Sequence, residues 1–273
     1  GDYWDYILSG SGKGRPVKKA LPIIAIPTTA GTGTEADPWT VITHETAQEK
    51  IGFGCQYTYP VLSIIDPELM TSIPPHLTAY QGFDAFFHAA EGFIANCATP
   101  ISDLYALEAI RLIYKYLPVA VADGRNLKAR AKLAWASTLA GMVESTSSCT
   151  SEHSMEHAMS AFYPQLPHGA GLICLSAAYF ETFRNDCMKR YMKMAEAMTQ
   201  KKNNRPSDFI DALLVMQKEC HVQDLKLSDW GIQKNDLSKM VQNARETMGD
   251  LFRLDPRPLR DEEILDIYEK SYK

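Results

Sequence analysis

Near residue 75 the chain changes texture. Before it, short apolar runs alternate with turn residues; after it, apolar residues recur at helical spacing almost to the C-terminus. The early runs are LPIIAIPTT (21–29), WTVITH (39–44), KIGFG (50–54) and VLSIIDP (61–67). The first and last read as buried strands and the middle two as a hairpin across a polar turn. SIPPHLT then punctuates the chain, and Thr78 is the expected N-cap of a helix through AYQGFDAFFHAAEGFIAN. In SDLYALEAIRLIYKYL, Leu104, Leu107, Ile110 and Tyr114 fall on one stripe, a core face at 3.6-residue period. Four further segments continue in the same manner, and TQKKNNRPS (199–207) reads as a surface loop. The division predicts a mainly α protein, with a strand-bearing segment over 1–75 and an all-helical domain over 76–273.

Composition excludes some partners. The formal net charge of −5 argues against nucleic acid, because phosphate binding wants a basic surface. No apolar run approaches the roughly 20 residues that span a bilayer, and the opening GDYWDYILSG lacks the pattern of a signal peptide. Six scattered cysteines without a CxxC pair read as reduced, mostly packed thiols, which fits a cytoplasmic protein.

Seven histidines serve the whole chain, yet three of them fall in SEHSMEHAMSAFYPQLPHGAG (151–171). Imidazole is the commonest metal ligand and the usual proton carrier near neutral pH. His153 and His157 are one helical turn apart, and His168 follows a Pro-Gln-Leu-Pro turn. Upstream, Asp84 and His88 are also one turn apart, which makes half of a divalent-metal site. Alone, a DxxxH pair is common on solvated helices. Together, Asp84, His88, His153 and His168 could close around one ion as three nitrogens and one oxygen, a set suited to Fe(II) or Zn(II). His157 would be left beside the ion to carry protons. In PTTAGTGTEA (27–36), two glycines and four threonines offer close backbone approach and hydroxyls, as a phosphate- or ribose-binding loop would, although such a loop is also an ordinary turn.

PTTAGTGTEADPWTVIT, DPELMTSIPPHLTAYQGFDAFFHAAEGF and HSMEHAMSAFYPQLPHGAGL together resemble the iron-containing alcohol dehydrogenase family, and DPRPLRDEEILDIYEKSY resembles its C-terminal end. The resemblance covers essentially the whole chain. It implies that Asp84, His88, His153 and His168 bind the metal and that His157 lies near the nicotinamide. Thr28, Thr29, Gly31 and Thr32 would touch NAD or NADP, with Val41 and Lys50 further along the groove. It also implies an incomplete α/β, Rossmann-like dinucleotide-binding segment followed by a helical metal-binding domain. The turn before His168 is one residue longer than in many members, and the glycine-rich GGGS phosphate loop has no counterpart. The chain is therefore expected to be an N-terminally truncated form.

The expected reaction is hydride transfer between a small alcohol or aldehyde and NAD(P), with a metal as Lewis acid on the substrate oxygen. Phe86, Phe87, Phe162 and Tyr163 are candidates for an apolar pocket wall or for plain core. Two alternatives stand beside this reading: a metal-binding helical fragment without catalysis, and a metal- and NAD-dependent lyase of the dehydroquinate synthase kind. The lyase needs several basic residues, and the metal motifs carry almost none. The chain alone is expected to hold metal, to bind NAD(P)H weakly and to turn over little alcohol. Residues 1–75 are expected to favour self-association into a homo-oligomer.

Overall fold

The first long helix begins three residues before Thr78. In the computed structural model, which describes residues 1–202 and 205–272, helix α1 runs Pro75–Ile94 with extended Pro74 at its N-cap. Proline at the first helical position has φ preset and no N–H to satisfy, so the Pro-Pro pair starts the helix without a side-chain cap. Thr78 instead lies inside the first turn, buried, where its hydroxyl accepts from Arg130 Nη1 at 2.9 Å. Helices α2 (Pro100–Ala122) and α3 (Leu127–Thr146) start at Thr99 and Asn126, each capping a backbone N–H with its side chain. These three helices pack on one another. The α2 face that is buried carries Ala106, Ala109, Ile110, Ile113, Leu117 and Ala120. Of the expected stripe only Ile110 is fully buried, and Leu104 is 67% exposed. That face is rich in alanine, with Leu107 and Tyr114 packed at its edge and Leu104 outside it.

Helices α4 (Ser151–Phe162), α5 (His168–Thr182), α6 (Met188–Thr199), α7 (Ser207–Glu219), α8 (Leu237–Met248) and α9 (Asp261–Ser271) complete the mostly helical fold. Within the predicted 199–207 loop, residues 203 and 204 lie outside the described residues. Among the described residues no helix is long and apolar enough to cross a membrane. The core is aromatic at its centre: Phe83, Phe86, Phe87, Phe180 and Phe209 are fully buried, with ring centroids 5.2–6.5 Å apart in successive pairs. Phe86 and Phe87 are therefore core, not pocket wall.

The strand segment is thinner than its sequence predicts. Strands β1 (Ile24–Ala25) and β4 (Leu62–Ser63) pair in parallel over two residues each, while β2 (Thr40–His44) and β3 (Glu49–Phe53) form the antiparallel hairpin. The runs 21–29 and 61–67, expected to be buried, leave Leu21 86% and Val61 71% exposed. A parallel pair is buried only when layers cover both faces, and here the two runs pair only with each other among the described residues. Strand β3 packs against α4 and α8, which brings the hairpin over the helical body. The loop between β1 and β2 lies on α1 and α3. Gly33 has φ +64°, and a Cβ there would stand 2.5 Å from Gly141 Cα on α3. Its glycine is spent on protein packing.

Candidate metal centre

Helix α1 presents Asp84 and His88 one turn apart, α4 presents His153 in its first turn, and His168 is the first residue of α5. Asp84, His88 and His153 are buried although all three are polar. Three Nε2 atoms converge on one oxygen: His88, His153 and His168 lie 3.5, 3.6 and 3.3 Å from Asp84 Oδ1. The opposite nitrogen of each ring is held. His153 Nδ1 bonds to the Glu91 carboxylate, His168 Nδ1 to the Glu156 carboxylate, and His88 Nδ1 to the Gly31 carbonyl at 3.2 Å. Glu144 Oε1 is also 3.3 Å from His88 Nδ1 but makes no hydrogen bond, so the aligned Gly31 carbonyl is the partner that orients the ring. A held Nδ1 leaves Nε2 as the free donor, the usual second half of a metal-ligating histidine.

Asp84 Oδ1 and His153 Nε2 are buried with no hydrogen-bond partner. Unpartnered polar atoms in the interior are costly, and a cation among these donors would satisfy both. The residues present thus fit a metal. Burial draws the His88 pKa down to about 4, so the ring is neutral and able to donate. Burial opposes the charge on Asp84, but the imidazoles of His88 and His168 outweigh it and hold the carboxyl well below its ordinary range. For His153, burial is outweighed by Cys149 and Glu91, which raise its pKa. Burial, followed by the charge of Asp37, pushes the Glu144 carboxyl well up, and burial lifts Asp37 to about 7.

These side chains open on a cavity of about 420 Å3. Trp39, Val41, Met248 and Leu251 form its apolar wall, in place of the expected aromatics. Phe162 is partly buried against the core, and Tyr163 donates its hydroxyl to Asp236 at 2.6 Å. His157 lines the cavity with Nδ1 buried and unpartnered, its ring centroid 5.3 Å from that of His168. Burial, then Lys50, depresses its pKa well below the ordinary value. Among the residues proposed to touch cofactor, Thr32, Val41 and Lys50 line the cavity. Gly31 is buried behind His88, and Thr28 and Thr29 lie outside the lining. Lys50 Nζ is 3.0 Å from Glu156 Oε2 and 3.2 Å from His168 Nδ1, so its nearest partners are the metal-centre residues.

Glu91, Glu144, Cys149 and Glu156 are site residues that the sequence reading passed over. Glu91 lies three residues after His88, on the same helical face, and Glu156 three after His153, so an acid at that spacing was the available signal. Glu144 and Cys149 reach the site only through the packing of α3 and the turn after it.

A mostly helical body that aims a carboxylate and three imidazoles at a strand-covered cleft defines the class of fold. Residues 78–272 match the family model for the Fe-containing alcohol dehydrogenase C-terminal region, and residues 1–67 that for iron-containing alcohol dehydrogenase. The chain belongs to the iron-containing alcohol dehydrogenase family. It is 34% identical over 264 residues to the probable alcohol dehydrogenase EutG of Salmonella typhimurium, covering 97% of this chain and 66% of that protein. It is 33% identical over 270 residues to the long-chain primary alcohol dehydrogenase AdhA of Thermoanaerobacter ethanolicus, covering 93% of this chain and 65% of that one. Among solved structures, an archaeal halo-thermophilic Red Sea brine pool alcohol dehydrogenase bound to NZQ superposes with TM-score 0.93 at 32% identity, over 98% of this chain and 69% of the other. The chain thus spans slightly less than two thirds of the length of the two curated relatives.

Proposed function

We propose that the cleft serves metal-assisted hydride transfer between a small alcohol or aldehyde and NAD or NADP. In this reading Asp84, His88, His153 and His168 hold Fe(II) or Zn(II), residues 1–75 are the C-terminal part of a Rossmann-like cofactor domain, and residues 76–273 are the metal-binding domain. The observation that carries it is the convergence of three Nε2 atoms on the unpartnered Asp84 Oδ1. A bound divalent ion would supply Lewis acidity toward the substrate oxygen, and a nicotinamide would supply the hydride chemistry. The chain's own contribution is positional. Thr32, Val41 and Lys50 flank the cavity on the side of the strand segment, and Trp39, Met248 and Leu251 keep it apolar. His157, lining the cavity with a free Nδ1, is the candidate relay for the hydroxyl proton. Lys50 is the one Lys or Arg among the described lining residues and is already paired with Glu156, which favours the dehydrogenase over a lyase that grips a phosphorylated substrate. Six free thiols support a reducing, cytoplasmic setting.

The test is NADH- or NADPH-dependent reduction of short aldehydes by Fe(II)- or Zn(II)-loaded protein, alongside calorimetric titration of both cofactors. Turnover that a chelator abolishes and Asp84→Ala removes supports the proposal. Stoichiometric metal without turnover returns the reading of a non-catalytic metal-binding domain, and absence of both overturns the metal centre.

A further inference from the structure

Of three close groups of potential metal donors, two share His153 and the third is Glu156, His157 and His168. In one, Asp84, His153 and His168 each offer an atom within 4.8 Å of the others; in the second, the partners of His153 are His88 and Cys149. The sulfur is the unassigned member. Cys149 lies in the short connection between α3 and α4, directly before Thr150, the α4 N-cap. It is 8% exposed and lines the same cavity as the four proposed ligands. The imidazoles of His88 and His153 stack beside it with centroids 4.5 Å apart, and His153 Nε2 is buried without a partner. A buried cysteine usually packs as a small hydrophobe. This one faces two imidazoles and the Glu144 carboxylate, whose Oε2 is 3.8 Å from its Sγ.

We propose that Cys149 is a further ligand of the bound metal, giving a thiolate sulfur beside the imidazoles of His88 and His153. The inference rests on the metal centre proposed above. Binding would break the S–H bond as the S–metal bond forms, with the proton released to water through the cavity that Cys149 lines. A soft sulfur among nitrogen and oxygen donors shifts the centre toward thiophilic ions such as Zn(II) and Co(II), and away from hard Mg(II) and Mn(II).

Cobalt(II) chloride, titrated without oxygen into the 273-residue chain, tests it. The expected result is an intense near-ultraviolet thiolate-to-cobalt charge-transfer band that saturates at equimolar metal. Cys149→Ser should bind equimolar cobalt and lack the band, while Cys97→Ser, at an exposed thiol, should keep it. X-ray absorption on the wild-type chain gives a reading that no variant's folding can spoil: a cobalt–sulfur shell is expected. Stoichiometric cobalt without a sulfur signal, or a band that survives in Cys149→Ser, overturns the role of Cys149 and leaves the metal centre standing. Failure of the wild-type chain to take up cobalt overturns both.

Discussion

The Glu91 carboxylate accepts from His153 Nδ1, and that bond turns His153 Nε2 toward Asp84 Oδ1, 3.6 Å away. Glu91 is itself fixed, accepting from the Thr150 backbone N–H at 2.8 Å and from its hydroxyl at 2.9 Å. Removing such an orienting partner costs about 10- to 100-fold in metal affinity. Glu91→Gln is expected to fall within that range in a chelator competition. An unchanged affinity would mean that packing alone sets the ring.

Metal content should separate the proposed ligands from His157. His88→Ala and His153→Ala are expected to lose stoichiometric metal by elemental analysis, and His157→Ala to retain it. Where turnover is measurable, His157→Ala should lose activity with an altered pH–rate profile. Loss of metal in His157→Ala would reverse the assignment within α4.

Lys50 reaches from the hairpin to a carboxylate that is fully buried, and its own side chain is 13% exposed. Breaking a buried pair from one side leaves an uncompensated charge, at a cost of about 3–5 kcal/mol. Lys50→Met should lose stability on that scale in chemical denaturation, and Lys50→Met with Glu156→Gln should recover much of it. Equal losses in the single and double variants would refute the coupling.

Asp255 offers a pH test away from the metal donors. Burial lifts its carboxyl to about 7, although Oδ1 accepts from the Ser151 backbone N–H at 3.0 Å and from the Tyr179 hydroxyl at 3.1 Å. With the folded pKa above the unfolded 3.8, the folded chain holds the extra proton between those values. Stability contributed by this group is present at low pH and lost as pH rises toward 7. Asp255→Asn keeps the acceptor and cannot ionise. Its melting temperature should match wild type near pH 4 and exceed it above pH 7, by at most about 4 kcal/mol of stability. Parallel curves would show that the group does not titrate across the window.

Two glycines predict different tolerances. A Cβ at Gly141 would stand 2.1 Å from the Gly33 carbonyl oxygen, whereas one at Gly82 meets the flexible end of Leu117. Backbone cannot yield as a side chain can. Gly141→Ala should cost about 1–3 kcal/mol and loosen the 31–37 loop, and Gly82→Ala should cost less. A thermal melt of each decides the order.

The helical domain was legible because its information is local. A 3.6-residue apolar period and the one-turn pairs Asp84/His88 and His153/His157 need only neighbouring residues, so these side chains, with His168 beyond the next turn, stood out as candidate donors before any fold was known. The family motifs likewise marked membership. Gly31 and Gly33 read as a ligand loop in the sequence, and only the fold shows that they also pack against α1 and α3. The apolar runs 21–29 and 61–67 resembled buried strands, but burial depends on which layers cover them, and a run carries no record of its neighbours. Cys149, Glu144 and the Lys50–Glu156 bridge were decided by tertiary structure alone. Lys50 and Glu156 are separated by 106 residues, and only the packing of the hairpin on α4 brings them to 3.0 Å. Side-chain chemistry sets what a residue can do. Whether it does so at this site depends on long-range packing, which no local spacing encodes.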